Sequence, residues 1–200
     1  MGKTSICHQF VNSKFGKEYE TTIGVSFLSK ILNFNNGEDS VKIMIWDTAG
    51  QEKYKSLAQM YYKDANAALI VYDITNKDSF NAVEFWVKEL DSNIGSIVLK
   101  YIIGNKADLM NQQEVTFDSA RIYAESIGGI AKEISAKENI GVKEVFEEIC
   151  KTIYPALDPK KPSSMKVNKN TNNNIEDTKK ITLESSSKHS KNRVNGGCCS

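Results

Sequence analysis

No stretch of this 200-residue chain is apolar over anything near the roughly 20 residues that a membrane-spanning helix needs. Residues 1–10 are polar and mixed, without the charged start and apolar run of a secretory signal. Cysteine is scarce and badly spaced for cross-linking. Of the four, Cys7 and Cys150 sit in helix-like patterns and read as buried thiols, while Cys198 and Cys199 are adjacent near the C-terminus. Neither a disulfide framework nor a zinc site has this spacing, which points to a reducing cytosol. Internal repeats are absent. A large charge excess is absent too: the net charge is only +1. It is unevenly spread, however. Residues 158–200 hold 9 Lys/Arg against 4 Asp/Glu, and the remainder holds 17 against 21. An acidic body with a basic tail argues against nucleic acid as the main partner and fits attraction to an anionic membrane surface.

What is present is ordinary globular composition, 40% apolar and 26% charged, in a length that suits one domain plus an extension. Lys3 onward reads as a helix with Ile6, Phe10 and Val11 on one side. Strands are predicted over Val25–Phe34 and Ser40–Trp46, joined as a hairpin by Asn35-Asn36-Gly37. Leu57–Tyr62 reads as a short helix. Ala67–Tyr72 and Val98–Ile103 are continuous apolar runs, as buried parallel strands require. Helices are predicted over Asp78–Leu90, Phe117–Ile127 and Val142–Tyr154, with a strand at Ile130–Ile134. This alternation predicts an α/β fold: a mostly parallel central sheet with helices on both faces. Pro155 ends the last helix. The residues beyond it are rich in Asn, Ser and Lys and read as a disordered tail.

Chemistry gathers where strands end. The run to Trp46 closes on Asp47 and breaks at Gly50, and ligands of open α/β sheets bind outside the carboxyl ends of strands. A carboxylate there can hold a phosphate-bound Mg²⁺, Gly50 can bring a backbone N–H to an anion, and the Gln51 amide can orient a water. A strand-end Asp that merely caps the next helix is the competing reading. Gly2-Lys3-Thr4-Ser5, opening a helix, matches the second half of the phosphate loop. In that motif Lys3 reaches the β/γ-phosphates and the Thr4 hydroxyl takes Mg²⁺; helix capping explains the tripeptide as well. Asn105-Lys106-x-Asp108 follows a buried strand. A carboxylate at Asp108 can accept from both the ring N–H and the exocyclic amine of guanine, a paired edge that adenine lacks. The Lys106 stem can cover a flat base. A polar turn is the alternative. Ser135-Ala136-Lys137 offers backbone N–H groups to a base carbonyl, or is simply a helix start. Phe15 can stack on a base or pack in the core.

In this order the motifs resemble those of the small GTPases, and within them the Rab family, over about residues 2–155 plus the terminal cysteines. Thr21-Thr22-Ile23-Gly24-Val25 resembles the Rab first switch and Trp46–Glu52 the second. Ser56-Leu57-Ala58-Gln59-Met60-Tyr61-Tyr62 and Phe27-Leu28 are most similar to the early-endosomal branch. The resemblance implies GTP/GDP and Mg²⁺ as ligands, with Thr22 meeting the γ-phosphate and metal beside Thr4 and Asp47. It adds Tyr19 to the nucleotide contacts, and gives catalysis to Gln51 and Lys3. It implies an activating protein, an exchange factor, effectors at the Thr22 and Gln51 switches, and a GDP-dissociation inhibitor. Cys198-Cys199-Ser200 resembles a site for prenylation machinery, hence a lipid-anchored protein on the cytoplasmic face of cell or endosomal membranes, with a cytosolic pool. The function implied is a slow GTPase switch in vesicle traffic and protein transport.

The sequence departs from the family in three places. Ser26 stands where many Rabs have Asp, and Lys63-Asp64 replaces Arg-Gly. The chain also begins inside the phosphate loop, about 5 loop residues and a strand of roughly 5–6 short of the family pattern. The expected layout is therefore a GTPase domain over 1–155 lacking its first, central strand, and a disordered tail over 156–200. Two inner sheet edges would then lie open. A tethered interaction module that no longer cycles is the second reading. A phosphate-loop kinase is disfavoured by Asp108 and by the paired cysteines.

Overall fold

In a computed structural model the chain is described at residues 1–16, 22–49, 62, 65–94, 98–158 and, for its backbone, 178–185. Helix α1 (Lys3–Asn12) starts directly after Gly2, whose φ of 87° glycine adopts without strain. It buries Ile6, Cys7 and Phe10 and stops at Ser13 in the left-handed region. Strands β1 (Val25–Phe34) and β2 (Asp39–Thr48) form the predicted antiparallel hairpin. Its turn uses positive φ at Asn35, Asn36 and Gly37, the residue types that tolerate it. Strand β3 (Ala65–Asp73) is buried along nearly its whole length. The helix predicted over Asp78–Leu90 is two helices, α2 (Lys77–Asn81) and α3 (Val83–Ile94). The Asn76 side chain caps the first by accepting from the Ser79 N–H at 2.8 Å. Strand β4 (Leu99–Asn105), helix α4 (Phe117–Ser126), strand β5 (Ile130–Glu133) and helix α5 (Val142–Ile153) follow, within a few residues of their predicted bounds. The helix predicted at Leu57–Tyr62 lies outside the described residues except for the buried Tyr62.

The largest correction concerns the tail. Residues 156–200 are not wholly without structure: Pro155–Leu157 makes a 3-10 turn, and Thr178–Ser185 is a strand, β6. The sheet order is β1-β2-β6-β3-β4-β5. Strand β6 therefore fills the central slot that the sequence predicts to be open, parallel to β2 on one side and β3 on the other. Pairing on both edges satisfies backbone groups that would each cost about 1–3 kcal/mol if buried without a partner. Lys179-Lys180-Ile181-Thr182-Leu183-Glu184 also has the polar–apolar alternation of a strand, within an otherwise low-complexity tail.

Two apolar layers cover the sheet. One, beneath α1 and α5, joins Ile6, Phe10, Ile43, Leu69, Tyr101 and Phe146. The Phe10 and Phe146 rings stack there with centroids 3.8 Å apart. The other, beneath α3 and α4, joins Ala68, Ile70, Tyr72, Trp86, Leu90 and Ile102. Cys7 and Cys150 are buried free thiols, and burial pushes both thiols up, Cys150 to about 12. The parallel strands β3 and β4 end on the same edge, at Asp73 and Asn105, in register with one another.

Candidate functional site

At the end of β2, three side chains from separate elements meet. The Thr4 hydroxyl, in the first turn of α1, donates to Asp47 Oδ2 at 2.7 Å and lies 2.9 Å from the Thr22 hydroxyl. The Ala49 N–H donates to the Gly24 carbonyl at 2.8 Å, tying the start of β1 to the end of β2 and so fixing the neighbourhood of Thr22. Asp47 is fully buried, and its Oδ1 has no hydrogen-bond partner among the described residues. Burial pushes the Asp47 carboxyl above its ordinary range, against the opposing pull of the Thr4 hydroxyl and the Lys3 charge. Lys3 itself is only 6% exposed. No cluster of three His, Cys, Asp or Glu side chains suited to a metal occurs among the described residues. Any cation here would depend on hydroxyl oxygens beside one carboxylate.

A cavity of about 190 Å³ opens beside this group, lined by Gly2, Ser5, Phe15, Asn105, Lys106, Asp108, Ala136 and Lys137. Asn105 organises it. Its side-chain N–H donates to the Met1 carbonyl at 2.8 Å, and its Oδ1 accepts from the Ala136 N–H at 3.0 Å. One buried amide thus joins the end of β4, the entry to α1 and the 135–137 turn. Asp108 is held by the Ser135 hydroxyl, which donates to Oδ1 at 2.6 Å, while Oδ2 faces the Lys137 ammonium at 3.8 Å. Ser135 in turn accepts from the Glu138 N–H at 3.0 Å. Phe15, 44% exposed, lines the cavity rather than the core.

A family profile described as "Ras family" matches residues 1–155. The chain belongs to the Ras family. It is 44% identical to the Ras-related protein Rab-21 of Homo sapiens over 151 residues, 76% of this chain and 66% of that protein. It is 43% identical to Rab-31 of Homo sapiens over 186 residues, 93% of this chain and 90% of the relative. The Ras-related protein RHN1 of Nicotiana plumbaginifolia is 45% identical over 164 residues, 82% and 81% of the two chains. The chain is thus a Rab-type small GTPase of the early-endosomal branch, a GTP-binding and GTP-hydrolysing switch in vesicle and endosomal traffic. It binds guanine nucleotide, works with regulators and effectors, and belongs to a membrane-associated group. The non-cycling module is not favoured. Among the described residues no helix is long and apolar enough to cross a membrane.

Of the sequence-predicted residues, Gly2, Lys3, Thr4, Ser5, Thr22 and Asp47 cluster at the α1 entry. Phe15, Asn105, Lys106, Asp108, Ser135, Ala136 and Lys137 gather around the cavity. Tyr19, Gly50 and Gln51, and the cysteines Cys198 and Cys199, lie outside the described residues. One residue of this Ras-family site is missing from the sequence reading. Asp73, at the end of β3, pairs with the Lys106 ammonium at 2.5 Å and accepts from the Thr75 hydroxyl at 2.7 Å and N–H at 3.0 Å. Burial pushes its carboxyl up, but the Lys106 and Thr75 hydrogen bonds overcome that and hold it below the ordinary range. They also steady Lys106, whose φ of 70° is unusual for a non-glycine residue. The signal was available: Asp73 ends an apolar run, as Asp47 does.

Proposed function

We infer that the cavity takes the guanine base and that the α1 entry takes the phosphates of GTP. Asp108 reads the paired N–H edge of guanine, with Oδ1 fixed by Ser135. The Lys106 stem and Phe15 cover the base, and the Ala136 and Lys137 backbone faces its carbonyl. Gly2, Lys3, Thr4 and Ser5 meet the phosphates at a helix N-terminus, where N–H groups and dipole favour anions. Tyr19 completes the nucleotide contacts. Gln51 orients the attacking water and Lys3 offsets charge on the transferring phosphoryl group, while the Gly50 N–H meets the γ-phosphate.

The residues present fit Mg²⁺. Two hydroxyls and a carboxylate with an unpaired buried oxygen make a hard, all-oxygen donor set. Thr4, Thr22 and Asp47 would hold the ion. When bound, it would neutralise charge on the phosphate oxygens. The order of the switch segments at Thr22 and Gln51 then depends on the γ-phosphate, and activating protein, exchange factor and effectors read that order. Cys198 and Cys199 receive prenyl groups from prenylation machinery, and a GDP-dissociation inhibitor maintains a cytosolic pool against the lipid-anchored one. We assign residues 1–155 to the GTPase domain and residues from 156 onward to a hypervariable tail, one segment of which, Thr178–Ser185, pairs into the sheet.

The observation that carries this reading is the Ser135–Asp108 contact beside the Asn105–Ala136 contact, both on the cavity wall. Competition titrations test it. GTP should bind at least about 10⁴-fold more tightly than ATP, the discrimination expected of a site built around hydrogen bonds. Asp108→Asn should move preference toward xanthine nucleotides. Equal affinity for ATP and GTP would remove the assignment of Asp108.

A further inference from the structure

Asp108 and Ser135 meet at 2.6 Å on the cavity wall, but each sits on a turn that must itself be held in place. Asp108 lies in the 3-10 turn Ala107–Gln112, and Ser135 follows the end of β5 by two residues. We propose that Glu133 is a positioning residue for the guanine base: with Gln113 it sets the spacing of these two turns, and so the contact of Asp108 with the exocyclic amine of guanine. This rests on the nucleotide reading given above.

Three observations carry it. First, one side-chain contact joins the two turns at their roots. The Gln113 side-chain N–H donates to Glu133 Oε1 at 3.2 Å and to the Val115 carbonyl at 2.8 Å. Gln113 directly follows the turn that carries Asp108, and Glu133 directly precedes Ile134-Ser135. Second, Gln113 stands on an anchored segment. The N–H groups of Glu114 and Val115 both donate to the Ile74 carbonyl, at 2.9 and 3.1 Å. The Glu114 carboxylate accepts from the Lys77 N–H at 2.9 Å, where α2 begins. Motion of Glu133 against this anchor moves Ser135 against Asp108.

Third, Glu133 faces a hydroxyl that lacks an acceptor. Glu133 is half-buried, and burial pushes its carboxyl above the ordinary range. Lys132, its neighbour on the strand, pairs with Glu148 instead, at 2.6 Å. Tyr72, near the end of β3, is fully buried, and its hydroxyl has no hydrogen-bond partner among the described residues. Burial, and then the Glu133 charge, push the Tyr72 phenol up. The two side chains approach across Gly104, the residue before Asn105. A Cβ there would lie 2.6 Å from the Tyr72 hydroxyl and 3.1 Å from Glu133 Cγ. An unsatisfied buried donor in a native fold calls for an explanation. Here it lies beside the carboxylate that joins the two base-binding turns.

The test uses the full chain and compares release of GDP with release of inosine diphosphate, which lacks the exocyclic amine that Asp108 reads. The native chain should retain GDP the longer of the two. Glu133→Ala should speed GDP release by about tenfold or more, the scale of one hydrogen bond to a charged group. It should speed inosine diphosphate release much less, so that the difference narrows. Gln113→Leu reaches the same contact from the other turn and should narrow the difference likewise; it decides the matter where Glu133→Ala does not fold. The double variant should be no faster than the faster single one, because both remove one contact. Glu133→Gln, which keeps an acceptor for Gln113 and Tyr72, should restore part of the difference. Folded variants that speed both nucleotides equally show a contact that is only structural and overturn the proposal. GDP release at the native rate in either folded variant overturns it too. A native chain that holds inosine and adenosine diphosphates as long as GDP overturns the assignment of Asp108, and this proposal with it.

Discussion

Asn105→Ala is the sharpest single probe of how the site is assembled. The native amide is 3% exposed and makes one hydrogen bond to the Met1 carbonyl and one from the Ala136 N–H. Truncation loses the first, worth about 1 kcal/mol net, and leaves the buried Ala136 N–H without an acceptor, costing about 1–3 kcal/mol. The sum is about 2–4 kcal/mol. For a chain of this size each kcal/mol moves the melting temperature by about 2–4 °C, so Tm should fall by roughly 4–16 °C. Both lost contacts border the base cavity, so guanine nucleotide should also leave about tenfold faster, if only half of the loss is expressed in the bound state. Thermal melts without nucleotide and stopped-flow release of a fluorescent guanine nucleotide measure the two effects. Gly2→Ala provides an independent route to the same clamp. A Cβ there would sit 2.7 Å from Asn105 Nδ2, on a backbone with φ of 87°. If Asn105→Ala melts within a degree or so of the native chain and releases nucleotide at the native rate, the amide is not the element that joins β4, the α1 entry and the 135–137 turn.

Asp47→Asn should stabilise the nucleotide-free protein by on the order of 1 kcal/mol while weakening Mg²⁺-dependent nucleotide binding. Because burial raises the Asp47 carboxyl from its ordinary 3.8, wild-type stability drops as pH rises from that value through the raised one, then levels. The gain from the variant should therefore appear in melts near neutral pH and vanish toward pH 4. Gln51→Leu should slow partner-stimulated GTP hydrolysis by about 10²-fold or more with binding little changed, as single-turnover assays would read. Replacing Cys198 and Cys199 with Ser should move the protein from membrane to soluble fractions, since stable anchoring takes two signals; mass spectrometry of the cellular protein reports the lipid directly.

Much of the site is legible in the sequence because its chemistry sits where local rules are strong. Asn105-Lys106-x-Asp108 follows an apolar run that can only be a buried strand, so the turn after it must lie on the ligand edge. Asp47 follows the same rule, and the structure brings it to Thr4 and Thr22. What the sequence does not yield is pairing between distant side chains. Nothing in Asp73 alone announces Lys106 as its partner, and a single buried Asn105 that holds three segments looks like an ordinary turn residue. The tail strand is hidden for a different reason. Its composition obeys the rule for disorder, and its pairing is with β2 and β3, both more than a hundred residues away in sequence.

The two strand-end carboxylates show how one fold position serves opposite ends. Asp73 is satisfied on both oxygens, by Thr75 on one and Lys106 on the other, and its carboxyl is held below the ordinary range. Such a group contributes stability at neutral pH, lost only as pH falls through its lowered value. Asp47 is more deeply buried, with Oδ1 unpaired and its carboxyl raised. Burial penalises its ionised form, and the Thr4 hydroxyl and Lys3 charge offset only part of that. The difference lies in the neighbours. Asp73 has the Lys106 ammonium in hydrogen-bonding contact, whereas the side-chain hydrogen bonds to Asp47 among the described residues come from the Thr4 and Thr22 hydroxyls, with the Lys3 charge acting through space. The two carboxylates, on comparable strand ends, thus differ in whether the fold places a cation in hydrogen-bonding contact with them.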